Sequence, residues 1–339
     1  MSAELLDVQD LEVHFRAGGL PLPGRPARLV QAVNGVSFTL APGEALGIVG
    51  ESGCGKSTLG RAILRLGPST GGAIRFDGAD LATGGSGLAK LRRETAMIFQ
   101  DPYGALNPRM SVGEAVAEVL RVHRKVPRDR VAARVAELLT MVGLRPEHAA
   151  RRPAELSGGQ CQRVGIARAL AVEPKLIIAD ECVAALDVSI QAQIINLLIE
   201  LKARMNLALI FIAHDLAVVR RLCDRVAVMY LGRIVEEGAA ETVFAAPKHP
   251  YTQALVRAIP EIDPDRRLPA ELLGGEPPSP IDLPPGCAFH PRCSFALPQC
   301  RTGLPPALRP VEGRFTACHL YPPIPVRSRD GGEKQEAHQ

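Results

Sequence analysis

Five apolar residues, Ala45–Val49, run without interruption into GESGCGKST at Gly50–Thr58. A buried strand that empties into a glycine-rich turn and then a helix has few architectures open to it. Strands alternating with helices, as the rest of the chain reads, argue for a mainly parallel sheet covered on both faces. The turn has its own chemistry. Gly50, Gly53 and Gly55 let the backbone wrap close to an anion, so that N–H groups of the loop, with Ser52 and Cys54 among them, point inward. The N-terminus of the following helix, read as Lys56–Leu66, adds partial positive charge. Lys56 has the reach for the β- and γ-phosphates of a nucleotide, the Ser57 hydroxyl suits Mg²⁺, and Thr58 closes the phosphate-contacting run. A chance glycine-rich turn would lack the strand before it and the helix after it.

Alternating apolar residues at Leu11, Val13 and Phe15, and at Val36, Phe38 and Leu40, read as two half-buried strands. The Gly- and Pro-rich stretch Ala17–Arg28 between them reads as a loop. Met97–Phe99 reads as another strand. Val112–Arg124 and Arg130–Val142 then carry apolar residues at helical spacing, with Gly143 as a stop signal. Alternation resumes with helix Gln160–Ala171, strand Leu176–Ala179, helix Ser189–Met205, and strands Leu207–Ala213 and Arg225–Met229. No internal repeat is visible, so one such unit is expected. Composition changes near Pro247: up to about Pro325 the chain is rich in proline and holds four of its eight cysteines. The polar segment Val326–Gln339 reads as a disordered tail.

A length of 339 residues with 46% apolar content suits about two domains and a sizeable core. Forty basic against 36 acidic residues, a net charge of +4, is too mild a balance to predict nucleic-acid binding. The cluster Arg121, Arg124, Lys125, Arg128 and Arg130 reads as a solvated helix end, with a phosphate or lipid-surface patch as the alternative. The start, MSAELLDVQD, lacks the basic-then-apolar pattern of an export signal. The longest apolar run considered, Leu207–Ala213, falls far short of the ~20 residues that span a bilayer. The chain is therefore expected to be soluble and to reach any membrane through a partner. Without an export signal the cysteines do not read as a disulfide framework, which leaves metal, reactive thiol or packing.

Four further motifs follow the phosphate loop in a fixed order: Gln100 after its apolar run, LSGGQ at Leu156–Gln160, LIIADE at Leu176–Glu181, and His214 ending LIFIAH. Ser157, Gly158 and Gly159 precede a helix and make a second anion site; one chain already has a phosphate loop, so the second implies a second subunit. A carboxylate at the C-terminal end of a buried strand sits beside the phosphate loop in this type of sheet. Together the five motifs resemble those of the ATP-binding subunits of ABC transporters. That resemblance implies that Asp180 organises Mg²⁺, with Ser57 and Gln100 as its other ligands. It implies that Glu181 polarises the attacking water, that His214 bonds the γ-phosphate or that water, and that Gln100 also relays motion to membrane subunits. Ser157, Gly158, Gly159 and Gln160 would close over ATP held by the partner, with Ala185–Asp187 at the interface and Asp187 in contact with nucleotide. Phe15 is the best match for the aromatic that stacks on adenine, with a plain core role as the alternative.

Three stretches narrow the resemblance to the dipeptide/oligopeptide importer family: Asp101–Met110 (DPYGALNPRM), Ala185–Leu198 (ALDVSIQAQIINLL) and His249–Pro260 (HPYTQALVRAIP). It covers about residues 4–320. Two positions depart from the family pattern. Cys182 stands where a proline usually follows the glutamate, and Cys161 follows LSGGQ where a longer polar residue is common; neither removes a phosphate or Mg²⁺ ligand. Cys287, Cys293, Cys300 and Cys318, with spacers of 5, 6 and 17 residues, match in number the thiolates a [4Fe–4S] cluster needs, and the resemblance to the peptide-importer extension implies that they hold one. Zn²⁺, aided by His290 or His319, and free thiols are the alternatives.

The expected architecture is an α/β P-loop NTPase cassette at 1–246. It has a mainly parallel core sheet, an antiparallel β-subdomain and an inserted helical subdomain at about 101–160, followed by a small cysteine-containing module at 247–325. The expected partners are a second ABC ATPase, either a paralogue or a second copy, two permeases and, indirectly, an extracytoplasmic binding protein, with no nucleic acid. The expected location is the cytoplasmic face of the membrane. Peptides are the expected cargo, with nickel, opines or oligosaccharides, or a soluble non-transport ABC machine, as alternatives.

Overall fold

The computed structural model describes residues 4–18, 28–81, 85–259 and 274–321. In chain order the first half gives β1 (Leu6–Arg16), β2 (Leu29–Leu40), β3 (Ala45–Val49), α1 (Lys56–Ile63), β4 (Gly71–Phe76), β5 (Ala79–Asp80), α2 (Ser86–Glu94) and β6 (Thr95–Ile98). Next come α3 (Val112–Val122), α4 (Val131–Met141), α5 (Gly158–Leu170), β7 (Leu176–Asp180), α6 (Val188–Met205), β8 (Ala208–Ala213) and α7 (Leu216–Leu222). The chain continues with β9 (Arg225–Tyr230), β10 (Arg233–Ala239), α8 (Ala240–Ala245), α9 (Pro250–Arg257), β11 (Arg309–Val311) and β12 (Arg314–Thr316). Most of the loop expected at Ala17–Arg28, and the tail at 326–339, lie outside the described residues.

The large sheet has the order β11-β12-β10-β9-β3-β8-β7-β6. Its run from β6 to β9 is parallel, and β10, β12 and β11 add antiparallel pairs at one edge. Every residue of β3, β7 and β8 is buried, as expected for parallel strands with both faces covered. Side chains sort between two cores with period two. Ala45, Val49, Ile177, Ala179, Leu209 and Phe211 face one core, shared with Val164, Ile194, Leu198 and Val219 of α5, α6 and α7. Leu46, Ile48, Ile178 and Ile210 face the other, shared with Leu59 and Ile63 of α1 and with Leu11, Val36 and Phe38 of a separate sheet, β2-β1-β4-β5. That second sheet is antiparallel throughout.

Between β6 and β7 the chain builds α3, α4 and α5. Ser111 starts α3 with a capping box: its hydroxyl accepts from Glu114 N–H, and the Glu114 carboxylate accepts from Ser111 N–H. Val116 and Leu120 of α3 pack with Leu138 and Leu139 of α4 in the first core.

Some element ends differ from the sequence expectation. The first helix stops at Ile63 and not Leu66, because Arg65 turns left-handed with φ 54°. Strand β8 begins at Ala208, since Leu207 N–H still caps the preceding helix at Lys202 O. The LSGGQ helix begins at Gly158, two residues before Gln160.

The C-terminal region continues the large sheet. Strand β12 pairs with β10 through Glu236↔Thr316 and Glu237↔Phe315. Behind that pairing lies a buried polar knot. Glu236, fully buried, accepts from Lys248 N–H and His249 N–H at 2.8 Å each and lies 3.6 Å from the Arg314 guanidinium. Arg314 also donates to the carbonyls of Thr242 and Ala246. Tyr230, Tyr251 and Phe289 form an aromatic cluster beside the knot, with ring centroids 4.7–5.4 Å apart.

Candidate nucleotide site

In register, Val49 pairs with Ala213, Ile212 with Asp180, and Ile98 with Ala179. The motifs that follow these strands, at Gly50, Gln100, Glu181 and His214, therefore leave the sheet at one edge, the C-terminal ends of its parallel strands. Open α/β sheets place ligands there.

Two glycines of the loop are obligatory in this geometry. Gly50 has φ 152°, and a Cβ there would stand 2.1 Å from Met229 O; Gly55 has φ 106°, and its Cβ would meet Ala32 O at 2.0 Å. Lys56 is buried, and its ammonium donates to Gly50 O (2.7 Å) and Glu51 O (3.0 Å) across the loop mouth. Ser57 Oγ donates to Asp180 Oδ1 at 2.7 Å, and Asp180 is itself buried. A hydroxyl and a carboxylate side by side are hard oxygen donors of the kind Mg²⁺ takes, so this pair fits the ion.

Glu181 adopts a left-handed backbone at φ 46° and ties its N–H to Ile212 O. That conformation costs a non-glycine residue about 1–3 kcal/mol and is found where surrounding structure over-determines it. Gln100 Nε2 donates to Glu181 Oε2 at 3.0 Å, so these two side chains, 81 positions apart, already meet. His214 is exposed at the strand end, and Asp215 beside it caps α7 through Ala217 N–H and Val218 N–H.

Ser157 and Gln160 form a second capping box, with Gln160 N–H on Ser157 Oγ and Ser157 N–H on Gln160 Oε1. The first-turn N–H groups of Gly158 and Gly159 have no partner within the helix. A Cβ on Gly159 would stand 2.6 Å from Ile190, so glycine there lets α5 and α6 close up. Leu186, next to the exposed Asp187, lies against Gly158, which puts the 185–187 segment beside LSGGQ. Phe15, near the end of β1, is 41% exposed.

Several contacts were not marked by the sequence. Tyr103 Oη donates to Leu156 O at 3.0 Å and Arg168 to Ala105 O at 2.6 Å, joining the segment after Gln100 to LSGGQ. DPYGAL was the only signal for them. Cys182, the departure from proline, is buried in the first core, and burial pushes its thiol up to about 12. Cys161 is buried too, and its thiol meets Pro153 O.

The four C-terminal cysteines share one neighbourhood. Cys318 lies within electrostatic reach of the other three, and Cys287 within reach of Cys293 and Cys300. Backbone N–H groups of Phe289, His290, Phe295 and Leu320 approach the sulfurs of Cys287, Cys293 and Cys318. Burial pushes Cys287 and Cys318 up to about 11. Among the described residues no three His, Cys, Asp or Glu side chains are grouped closely enough to hold a metal ion.

This is the architecture of an ABC ATPase cassette, and comparison with known proteins agrees. The family model described as ABC transporter matches residues 33–184, and that described as the oligopeptide/dipeptide transporter C-terminal region matches 235–300. An oligopeptide transport ATP-binding protein of Salmonella typhimurium is 52% identical over 92% of this chain and 93% of its own length. Its Escherichia coli counterpart is 51% identical over the same shares. A post-hydrolysis dimer of the ATP-binding cassette MJ0796, bound to ADP and Pi, superposes with a TM-score of 0.61 at 28% identity, covering 69% of this chain and 98% of that one. The chain belongs to the ABC transporter ATP-binding family, in its oligopeptide/dipeptide branch. It is an ABC-type ATPase.

Proposed function

We propose that this chain sits on the cytoplasmic face of the membrane, pairs head to tail with a second ATPase and couples MgATP hydrolysis to uptake of di- or oligopeptides through two transmembrane permeases. The observation that carries this reading is the convergence of Gly50, Gln100, Asp180, Glu181 and His214 at one sheet edge; the first-turn N–H groups of Gly158 and Gly159 would form a second anion site at the start of α5. Phosphoryl transfer of this kind is mostly positioning and charge neutralisation. Gly50, Ser52, Gly53, Cys54, Gly55 and Thr58 contribute the loop that wraps the phosphates, and Lys56 neutralises them. Ser57, Asp180 and Gln100 would hold Mg²⁺, which supplies further neutralisation when bound. Glu181 takes a proton from the attacking water, with Gln100 fixing the carboxylate and His214 bonding the γ-phosphate. Phe15 stacks on adenine. Ser157, Gly158, Gly159 and Gln160 serve the partner's nucleotide, beside Asp187. Residues 1–246 act as the ATPase domain, with the helical subdomain at about 101–160, and 247–325 as its extension.

The same reading assigns a [4Fe–4S] cluster to Cys287, Cys293, Cys300 and Cys318. Thiol number, mutual reach and the N–H donors near three of the sulfurs support it; the ligating geometry would need the sulfurs to draw closer. Anaerobic purification with iron and acid-labile sulfide assays tests it. About four irons per chain is the expected result, while zinc or a colourless, metal-free protein would replace it.

Among the described residues no helix is long and apolar enough to cross a membrane, and the proposed link to it is through the permeases. Tagged Glu181→Gln chain, trapped with MgATP and recovered from native membranes, should bring down two permeases and an ATPase. Recovery of ribosomal or DNA-repair proteins with no permease would mark a soluble ABC machine instead.

A further inference from the structure

The second residue of the phosphate loop is a carboxylate, and two residues of the C-terminal region grip it. Arg292 makes a bidentate pair with Glu51, Nη1 to Oε2 at 2.7 Å and Nη2 to Oε1 at 2.9 Å. Its side chain is only 5% exposed, against 26% for Glu51. Tyr251 Oη, from the HPYTQAL stretch, accepts the Glu51 backbone N–H at 2.8 Å. Both grips are rigidly mounted. Arg292 ends a single helical turn, His290–Arg292, between Cys287 and Cys293, where its N–H bonds Phe289 O. Phe289 packs edge-on against Tyr230 and tilted against Tyr251, which is fully buried. Arg292 Nε donates further to Gly274 O.

A carboxylate in a loop whose N–H groups converge on an anion works against binding that anion. We infer that Arg292 and Tyr251 are positioning residues for ATP, holding Glu51 neutralised and clear of the phosphates so that the loop keeps its anion-binding shape. This rests on the proposed nucleotide site and adds to it. The C-terminal extension is then a brace on the phosphate loop. A paired Glu51 adds little field at the phosphates, whereas an unpaired one in the same loop would weaken a phosphate ligand on the order of tenfold in partly buried surroundings.

The test uses the full chain and measures MgATP dissociation constant, KM, kcat and Tm for wild type, Arg292→Ala, Arg292→Lys, Glu51→Gln, Tyr251→Phe and the Arg292→Ala/Glu51→Gln double variant. Arg292→Ala should weaken MgATP binding about tenfold and raise KM alike, with kcat within twofold. Glu51→Gln alone should stay within about twofold of wild type, and the double variant should return to that range, because no unpaired carboxylate remains. Arg292→Lys, which keeps the charge but loses the fork, should fall between. Tyr251→Phe should weaken binding by roughly two- to fivefold through the lost hydrogen bond. A double variant as weak as Arg292→Ala, or an Arg292→Ala chain that only melts earlier while binding normally, overturns the inference. Should Arg292→Ala fail to fold, Arg292→Lys and its combination with Glu51→Gln decide in the same way. A wild-type chain that binds no MgATP, or a Lys56→Ala variant that binds it normally, would instead defeat the nucleotide-site reading.

Discussion

The phosphate-loop edge and the C-terminal region at 274–321 meet at Glu51, yet they are built by opposite means. The loop edge hangs on β3, β7 and β8, whose residues are all buried and whose side chains alternate between two cores. Position there comes from apolar packing, and the polar chemistry begins only where the strands end. The C-terminal region has strands of three residues each, β11 and β12, and a cysteine-bearing turn closed by Cys287 N–H on Cys300 O. Its position comes from buried polar contacts, Arg314 on Glu236 and Arg292 on Glu51, beside an aromatic cluster. A substitution at the loop edge should therefore remove chemistry and spare stability, and one at the Glu236–Arg314 knot should do the reverse; Arg292 stands apart, because its partner Glu51 belongs to the phosphate loop.

Glu181→Gln is the sharpest break on the first side. Glutamine keeps the side-chain length and the contact with Gln100 but cannot take a proton. Turnover should fall by about 10²–10⁴-fold, the usual worth of a positioned base, with MgATP binding and Tm nearly unchanged. Near-normal turnover would move the base elsewhere. Arg314→Met is its counterpart. It leaves the fully buried Glu236 without its cation and should cost about 3–5 kcal/mol, read from urea midpoints, while MgATP affinity of the remaining folded chain stays within a few-fold. A stability loss below about 1 kcal/mol would show that the Lys248 and His249 N–H groups satisfy Glu236 unaided.

The same contrast governs what the sequence disclosed. Strand β3 is read to the residue from five consecutive apolar positions, and the spacing of Val131, Val135, Leu138 and Leu139 brackets α4 to within one residue at each end. Gln100 meeting Glu181 follows from two strand ends that neighbour in a parallel sheet. Strand β10 is hidden because Glu236 and Glu237 are adjacent and both buried, which erases the period-two pattern. Strand β4 is hidden because it opens on two glycines. The grip of Arg292 on Glu51 spans 241 positions and rests on a single ion pair, which leaves no local periodicity to read.

His249 offers a pH handle on the C-terminal side. It is fully buried, its Nδ1 accepts from Tyr251 N–H as the cap of α9, and burial lowers its pKa to about 3. The folded state thus binds this proton less readily than the unfolded chain. Its contribution is complete above the unfolded value near 6.5 and is lost as pH falls from there toward about 3, at up to ~1.4 kcal/mol per pH unit. Urea midpoints at pH 7.5 and 5.5 should show this slope for wild type. His249→Asn, which retains a capping acceptor without a titrating ring, should flatten it. An equal slope in both proteins would assign the acid sensitivity to other groups.

Phe15 carries the smallest expected effect and the cleanest distinction, because adenine stacking and core packing select the same residue type. At 41% exposure its removal uncovers little, so Phe15→Ala should shift stability by no more than about 0.5 kcal/mol, as for surface positions generally. Loss of an aromatic platform for a base is worth about 1–3 kcal/mol in nucleic-acid sites. The lower end of that range corresponds to a KM for ATP raised roughly fivefold, with kcat unaffected because the ring touches neither the γ-phosphate nor the water. Phe15→Tyr and Phe15→Trp should restore KM, since either ring presents a face to adenine. Measuring KM for ATP and GTP together sharpens the reading: a stacking contact tolerates both bases, so both KM values should rise in parallel in Phe15→Ala. A fall in Tm with KM unchanged would place Phe15 with the framework of β1 and leave the base to another residue.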